Sequence, residues 1–158
     1  MSNRVFSGGC QCGAVRYRVG QFGRASICHC RMCQKAFGNA FGPLVTGHDL
    51  QWTRGAPRHY HSSNKVRRGF CCACGTPLTY EPEGGAVEVA IATLDDPNGT
   101  PPAIQVGMEG RLDWCPSMPK LPERSSTDDN GGFYAGIVSY QHPDHDTDTW
   151  PPGRGQGN

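Results

Sequence analysis

Apolar and polar positions alternate through Val15, Arg16, Tyr17, Arg18 and Val19, the two-residue period of a strand with one wet face. Shorter runs of the same kind occupy 41–46, 50–53 and 59–62, each between Gly or Pro breaks. Residues 66–71 lead into a Cys-x-x-Cys turn and 78–81 lead out of it, which predicts a hairpin with the cysteines at its tip. The most apolar run, 86–94, is rich enough in β-branched residues to be a core strand, and the Asp95-Asp96-Pro97-Asn98-Gly99 cluster then turns the chain. Residues 26–28 are read as the end of one strand and 103–106 as another. Only 32–37, closed by Gly38, has the make-up of a short helix. Beyond Trp114 the prolines at 116, 119 and 122 exclude regular elements. Residues 134–140 are read as a last short strand or helix, with a loosely ordered tail after Gln141. The fold class that follows is mostly β, with short irregular or helical connections.

Composition narrows this further. The chain has 158 residues, about one domain's worth, with 22 Gly and 13 Pro that favour turns over long helices. A net charge of +1 argues against a nucleic-acid partner; the densest basic group, Lys65, Arg67 and Arg68, is read as a solvated strand edge. No run approaches the roughly 18 apolar residues of a membrane span, and residues 1–6 lack the apolar centre of a signal peptide, so a cytoplasmic protein is expected. In a reducing compartment nine cysteines, an odd number, are read as metal ligands or catalytic thiols before disulfides.

Eight of the nine cysteines fall in three groups: Cys10-x-Cys12, Cys28-x-Cys30-x-x-Cys33, and Cys71-Cys72-x-Cys74. Zinc is the natural ion for thiolate-rich tetrahedral sites. Cys10 and Cys12 supply two ligands and Cys71 and Cys74 two more, a split four-cysteine site stapling distant parts of the chain. Cys28, Cys30 and Cys33 supply three, leaving a fourth position for water or substrate, as in catalytic zinc sites. His29, Cys72 or Cys115 remains an alternative fourth ligand. An iron–sulfur cluster and a redox dithiol at Cys71 and Cys74 are weaker alternatives, lacking the usual spacings and context.

These segments, Gly9-Cys10-Gln11-Cys12-Gly13, Cys28-His29-Cys30-Arg31-Met32-Cys33-Gln34-Lys35 and Arg68-Gly69-Phe70-Cys71-Cys72-Ala73-Cys74-Gly75-Thr76-Pro77-Leu78, resemble the glutathione-dependent formaldehyde-activating enzyme family, whose domain also occurs in centromere protein V. Leu94-Asp95-Asp96-Pro97 and the stretch from Trp114 to Pro122 fit it too. The resemblance implies an all-β, zinc-stapled β-tent-like domain over 1–128, followed by an extension over 129–158. It implies two zinc ions, one structural at Cys10, Cys12, Cys71 and Cys74 and one catalytic at Cys28, Cys30 and Cys33. The extra thiols Cys72 and Cys115 lie outside its pattern.

The activity implied is that of a carbon–sulfur lyase joining formaldehyde and glutathione as S-(hydroxymethyl)glutathione, in aldehyde detoxification. Thiol capture suits a site of three thiolates better than carbonyl activation, because their negative charge weakens Lewis acidity. Arg31, Lys35 and Arg68 are candidates to hold glutathione carboxylates, and His29 to shuttle a proton. A binding module with two structural zinc ions is the alternative, and a thiol sensor using Cys72 or Cys115 a third reading. His142, His145, Asp144 and Asp146 in the tail form a weak candidate chelating set.

Overall fold

A computed structural model describes residues 5–125 and 132–149. The expected boundary at 128 lies outside the described residues. The described residues form ten strands: β1 (Phe6–Gly9), β2 (Arg16–Val19), β3 (Gln21–Cys28), β4 (Gly42–His48), β5 (Gln51–Arg54), β6 (Arg58–His61), β7 (Val66–Phe70), β8 (Pro77–Pro82), β9 (Glu88–Ala90) and β10 (Ile104–Val106). A helix of two turns, α1 (Arg31–Phe37), follows β3. The other described elements are 3-10 turns; the longest, Cys115–Lys120, runs six residues through Pro116 and Pro119, where the sequence pattern predicts no regular element. No helix among the described residues is long and apolar enough to cross a membrane.

The strands form two sheets. One has three strands in the order β1-β2-β5; the other has seven in the order β10-β3-β4-β9-β8-β7-β6. Every pairing is antiparallel except the short β10 against β3. The fold is therefore mostly β, as the sequence pattern predicts. The sheets share one core: Tyr17 and Val19 from the small sheet meet Val45, Leu78 and Val89 from the large one. These five are the bulk of the fully buried side chains. Each contributes on the order of 1.5–3 kcal/mol by leaving water.

Two departures from the sequence pattern bear on the core. The run 86–94 makes only the three-residue strand β9 before turning into a 3-10 turn at Ile91–Thr93. The Thr93 hydroxyl donates to the Ala90 carbonyl at 2.7 Å and also meets the Tyr17 hydroxyl at 2.7 Å. This side-chain bond offers the backbone an alternative to the ladder. The second departure is Arg16. Alternation places it on a wet face, yet it is only 3% exposed. Asp95 holds its guanidinium through two bonds of 2.8 and 2.6 Å, and Asp146 accepts two more at 2.8 and 3.2 Å.

Asp146 lies in the C-terminal segment. That segment, expected to be loosely ordered, carries one 3-10 turn among its described residues, at Tyr134–Gly136. It is nevertheless pinned to the small sheet. Asp146 bridges Arg16 and Arg18, the Thr147 carbonyl accepts from Arg54, and the His142 amide donates to the Gln11 carbonyl at 2.7 Å.

Candidate metal centres

The first cluster forms where two loops meet. Cys10 and Cys12 sit in the turn after β1, and Cys71 and Cys74 in the turn between β7 and β8. Both turns close the same way. The Gly13 amide bonds back to the Cys10 carbonyl at 3.0 Å, and the Gly75 amide to the Cys71 carbonyl at 2.8 Å. Both glycines take left-handed backbone, φ 77° and 79°, which a side chain would strain. The Gln11 amide ties the loops together through the Thr76 hydroxyl at 3.0 Å.

The four sulfurs lie within 4.8 Å of one another. Cys10 and Cys12 are 3.6 Å apart, and Cys12 and Cys71 3.9 Å. A tetrahedral zinc with bonds of about 2.3 Å spaces its sulfurs by about 3.8 Å, so the donor set and its spacing both fit zinc. The Val15 amide points at the Cys10 sulfur from 3.2 Å. Burial pushes the Cys10 and Cys71 thiols up. At Cys74 burial also opposes ionisation, but bonds from the Thr76 hydroxyl and nearby amides outweigh it and bring the thiol down to about 6.

The second cluster is local. Cys28 ends β3, Cys30 caps α1 and Cys33 lies in its first turn. The Cys33 amide donates to the Cys30 sulfur at 3.4 Å, the capping bond that fixes the turn. Buried Gln34 braces the loop, donating to the His29 and Gly110 carbonyls at 2.8 Å each. The three sulfurs lie within 4.8 Å of one another, and among the described residues no fourth His, Cys, Asp or Glu joins them. Burial pushes Cys28 up to about 12. Burial raises Cys33 as well, although Arg68 pulls the other way. The Arg68 guanidinium, 4% exposed, donates to the Cys33 sulfur at 3.4 Å and to the Ser62 hydroxyl at 3.1 Å. A guanidinium bonded to sulfur favours the thiolate form that a soft metal needs.

This cluster floors a pocket of about 170 Å³. Strand alternation builds its walls. Arg24, Ser26 and Cys28 project from one face of β3, and Val66 and Arg68 from β7. Tyr80 of β8 and Glu88 of β9 complete the polar lining.

Residues 5–109 match the model of the glutathione-dependent formaldehyde-activating enzyme family, a span that holds both cysteine clusters and the whole pocket lining. The chain belongs to the glutathione-dependent formaldehyde-activating enzyme family. A crystal structure of a Rhodobacter sphaeroides protein shares the fold: it is 23% identical with a TM-score of 0.50, over 63% of this chain and 99% of that one. Cys115 and the C-terminal segment lie beyond the family match.

The other thiols and histidines expected as possible ligands go elsewhere. Cys72 is exposed. His29 and Cys115 line a separate groove of about 530 Å³. There His29 Nε2 meets Gln105 Oε1 at 2.8 Å and its ring stands edge-on to Phe41, while Nδ1 has no partner among the described residues. The tail set does not assemble either. Asp146 is engaged by Arg16 and Arg18, His142 packs on Gly13 beside Arg54, and His145 and Asp144 are exposed.

The basic residues also sort themselves. Arg31 bonds to Gln34 at 3.0 Å, and neither it nor Lys35 lines the pocket. Lys65 pairs with Glu83 at 3.7 Å and Arg67 with Glu81 at 2.7 Å, whereas Arg68 points inward. Arg24 is the pocket's exposed cation, and sequence reasoning missed it. Its signal was the spacing Arg24-x-Ser26-x-Cys28 on a strand, which sends all three side chains the same way.

Proposed function

We propose that this protein is a zinc-dependent carbon–sulfur lyase that joins a thiol to an aldehyde, with glutathione and formaldehyde as its substrates. The reading rests on one observation: a three-thiol cluster with no fourth donor among the described residues opens onto a pocket lined by polar side chains. Membership of the family gives that arrangement its substrate class.

Two zinc ions are assigned. Cys10, Cys12, Cys71 and Cys74 would hold a structural ion, which would tie the loop after β1 to the β7–β8 hairpin. Cys28, Cys30 and Cys33, grouped within 4.8 Å, would hold the catalytic ion. When bound there, zinc supplies a soft centre that favours the thiolate form of an incoming thiol. The chain supplies the rest. Arg68 offsets the negative charge of the three thiolates, which eases entry of a further anionic sulfur. The pocket's 170 Å³ admits a cysteinyl side chain while the rest of the tripeptide stays outside, where Arg24, with its side chain 59% exposed, meets a carboxylate. In the reaction the thiol sulfur bonds the aldehyde carbon, and the carbonyl oxygen becomes the hydroxyl of S-(hydroxymethyl)glutathione.

Calorimetric titration of the zinc-loaded protein with glutathione tests this, with Cys28→Ser as control. Saturable binding lost in the variant is expected, together with formaldehyde–glutathione exchange, followed by NMR, faster than the uncatalysed background. No binding at millimolar glutathione would sink the reading and favour a zinc-stabilised binding module.

A further inference from the structure

The register of the large sheet sets three side chains in one cross-strand row. Arg68 of β7 is opposite Tyr80 of β8, and Tyr80 is opposite Glu88 of β9. Residues opposed in an antiparallel ladder share a face, and all three line the pocket above the cysteine cluster. The three are not equivalent. Arg68 is fully engaged: it bonds Cys33 and Ser62 and lies 5.0 Å over the Tyr80 ring. The Tyr80 phenol holds its proton at neutral pH, so it can donate but not accept one.

Glu88 is the pocket's acceptor. Its side chain is 15% exposed, and its nearest guanidinium, that of Arg24, is 3.8 Å away, longer than a hydrogen bond. Among the described residues no hydrogen bond reaches its carboxylate. A carboxylate held this way is costly to keep charged, and burial raises its affinity for a proton, with Arg24 opposing. A structural ion pair would satisfy the group better. A group that must take up and release a proton is served by this environment.

Resting on the lyase reading, we propose that Glu88 takes the proton from the incoming thiol and returns it to the new hydroxymethyl oxygen. The S–H bond breaks and a carboxyl O–H bond forms. The sulfur electron pair then bonds the aldehyde carbon, and the carbonyl π pair moves onto oxygen. The Glu88 carboxyl gives its proton to that oxygen and is again a carboxylate, so nothing is consumed beyond thiol and aldehyde. The charged and titratable groups that line the pocket with Glu88 are Arg24 and Cys28 from β3, Cys30 and Cys33 from the start of α1, Arg68 from β7 and Tyr80 from β8; of these, Arg24 is the one paired with it, at 3.8 Å.

The test is direct observation of the carboxyl. Zinc-loaded protein labelled with ¹³C at the glutamate side-chain carboxyl is titrated with glutathione at neutral pH, and Glu88→Gln identifies the Glu88 resonance. The expected result is a shift of that resonance to the protonated position as glutathione saturates. Glu88→Gln is expected to slow hydroxymethyl exchange by about 10²-fold with zinc content and glutathione affinity unchanged. Saturating glutathione that leaves Glu88 ionised overturns this assignment alone, as does a variant that keeps the wild-type rate. A variant that loses zinc or glutathione binding would mark Glu88 as structural and overturn it equally. Glutathione that fails to bind the wild type overturns the lyase reading, and this assignment falls with it.

Discussion

Asp95→Ala is the substitution whose cost the structure sets most clearly. Asp95 accepts two bonds from the Arg16 guanidinium, at 2.8 and 2.6 Å, and a third from the Ser7 hydroxyl at 2.6 Å. The Arg16 side chain is 4% exposed and that of Asp95 13%. Removing one partner of a buried pair costs about 3–5 kcal/mol, because the remaining charge is stranded out of water. Asp146 still meets Arg16 at 2.8 Å but is itself 33% exposed, so it compensates only in part. About 3 kcal/mol is therefore expected, which for a chain of this size lowers Tm by about 6–12 °C. Thermal and urea unfolding at neutral pH and fixed free zinc would read it, since bound metal shifts apparent stability by mass action. The double variant Arg16→Met with Asp95→Ala should cost less than the sum of the singles, because no stranded charge remains. A loss below about 1 kcal/mol, the size of a surface ion pair, would refute the claim that this network is buried and necessary.

Two further outcomes follow from the pocket. Arg68→Met should weaken zinc at the three-cysteine cluster by about 10–100-fold and leave the four-cysteine cluster untouched, read by chelator competition on the two classes of ion. Equal weakening of both classes would be against it. Glu88→Gln should raise stability at neutral pH. Burial holds the folded pKa of Glu88 above its ordinary 4.5, so ionising it costs stability as pH rises through that window, and the advantage of the variant should vanish in acid below it. Urea unfolding of both proteins across pH checks the sign.

What the sequence made legible was local. The three cysteine groups, the hairpin with Cys71 and Cys74 at its tip, and the short helix read at 32–37 and found at Arg31–Phe37 each depend on residues within a few positions of one another. What it concealed was long-range. Arg16 looks like a wet-face residue until Asp95 and Asp146, 79 and 130 positions on, are folded against it. β1 carries Gly8 and Gly9, poor strand formers, and gave no strand signal. Gly8 is there because the Tyr17 ring fills the space a side chain would need: a Cβ would stand 2.6 Å from its hydroxyl. Arg31 and Lys35 were nominated for their nearness in sequence to the thiols, whereas Arg24 reaches the pocket by strand alternation.

The difference between the two clusters is itself topological. The four-cysteine set draws two ligands from each of two loops about 60 residues apart, so bringing the loops together completes it. The three-cysteine set comes from six consecutive residues, and a fourth ligand would have to arrive from the sheet that faces it. On strands β7 to β9 of that sheet the polar positions that line the pocket are Arg68, Tyr80 and Glu88. A guanidinium cannot serve as a ligand, and it instead neutralises the thiolates it touches. The Glu88 carboxylate could ligate zinc, but it does not join the three sulfurs within 4.8 Å, so the sheet offers a fixed cation, a phenol and a carboxylate held back from the cluster. That choice of side chains makes sense if the facing space belongs to a substrate whose sulfur must arrive as an anion and whose proton must be kept nearby.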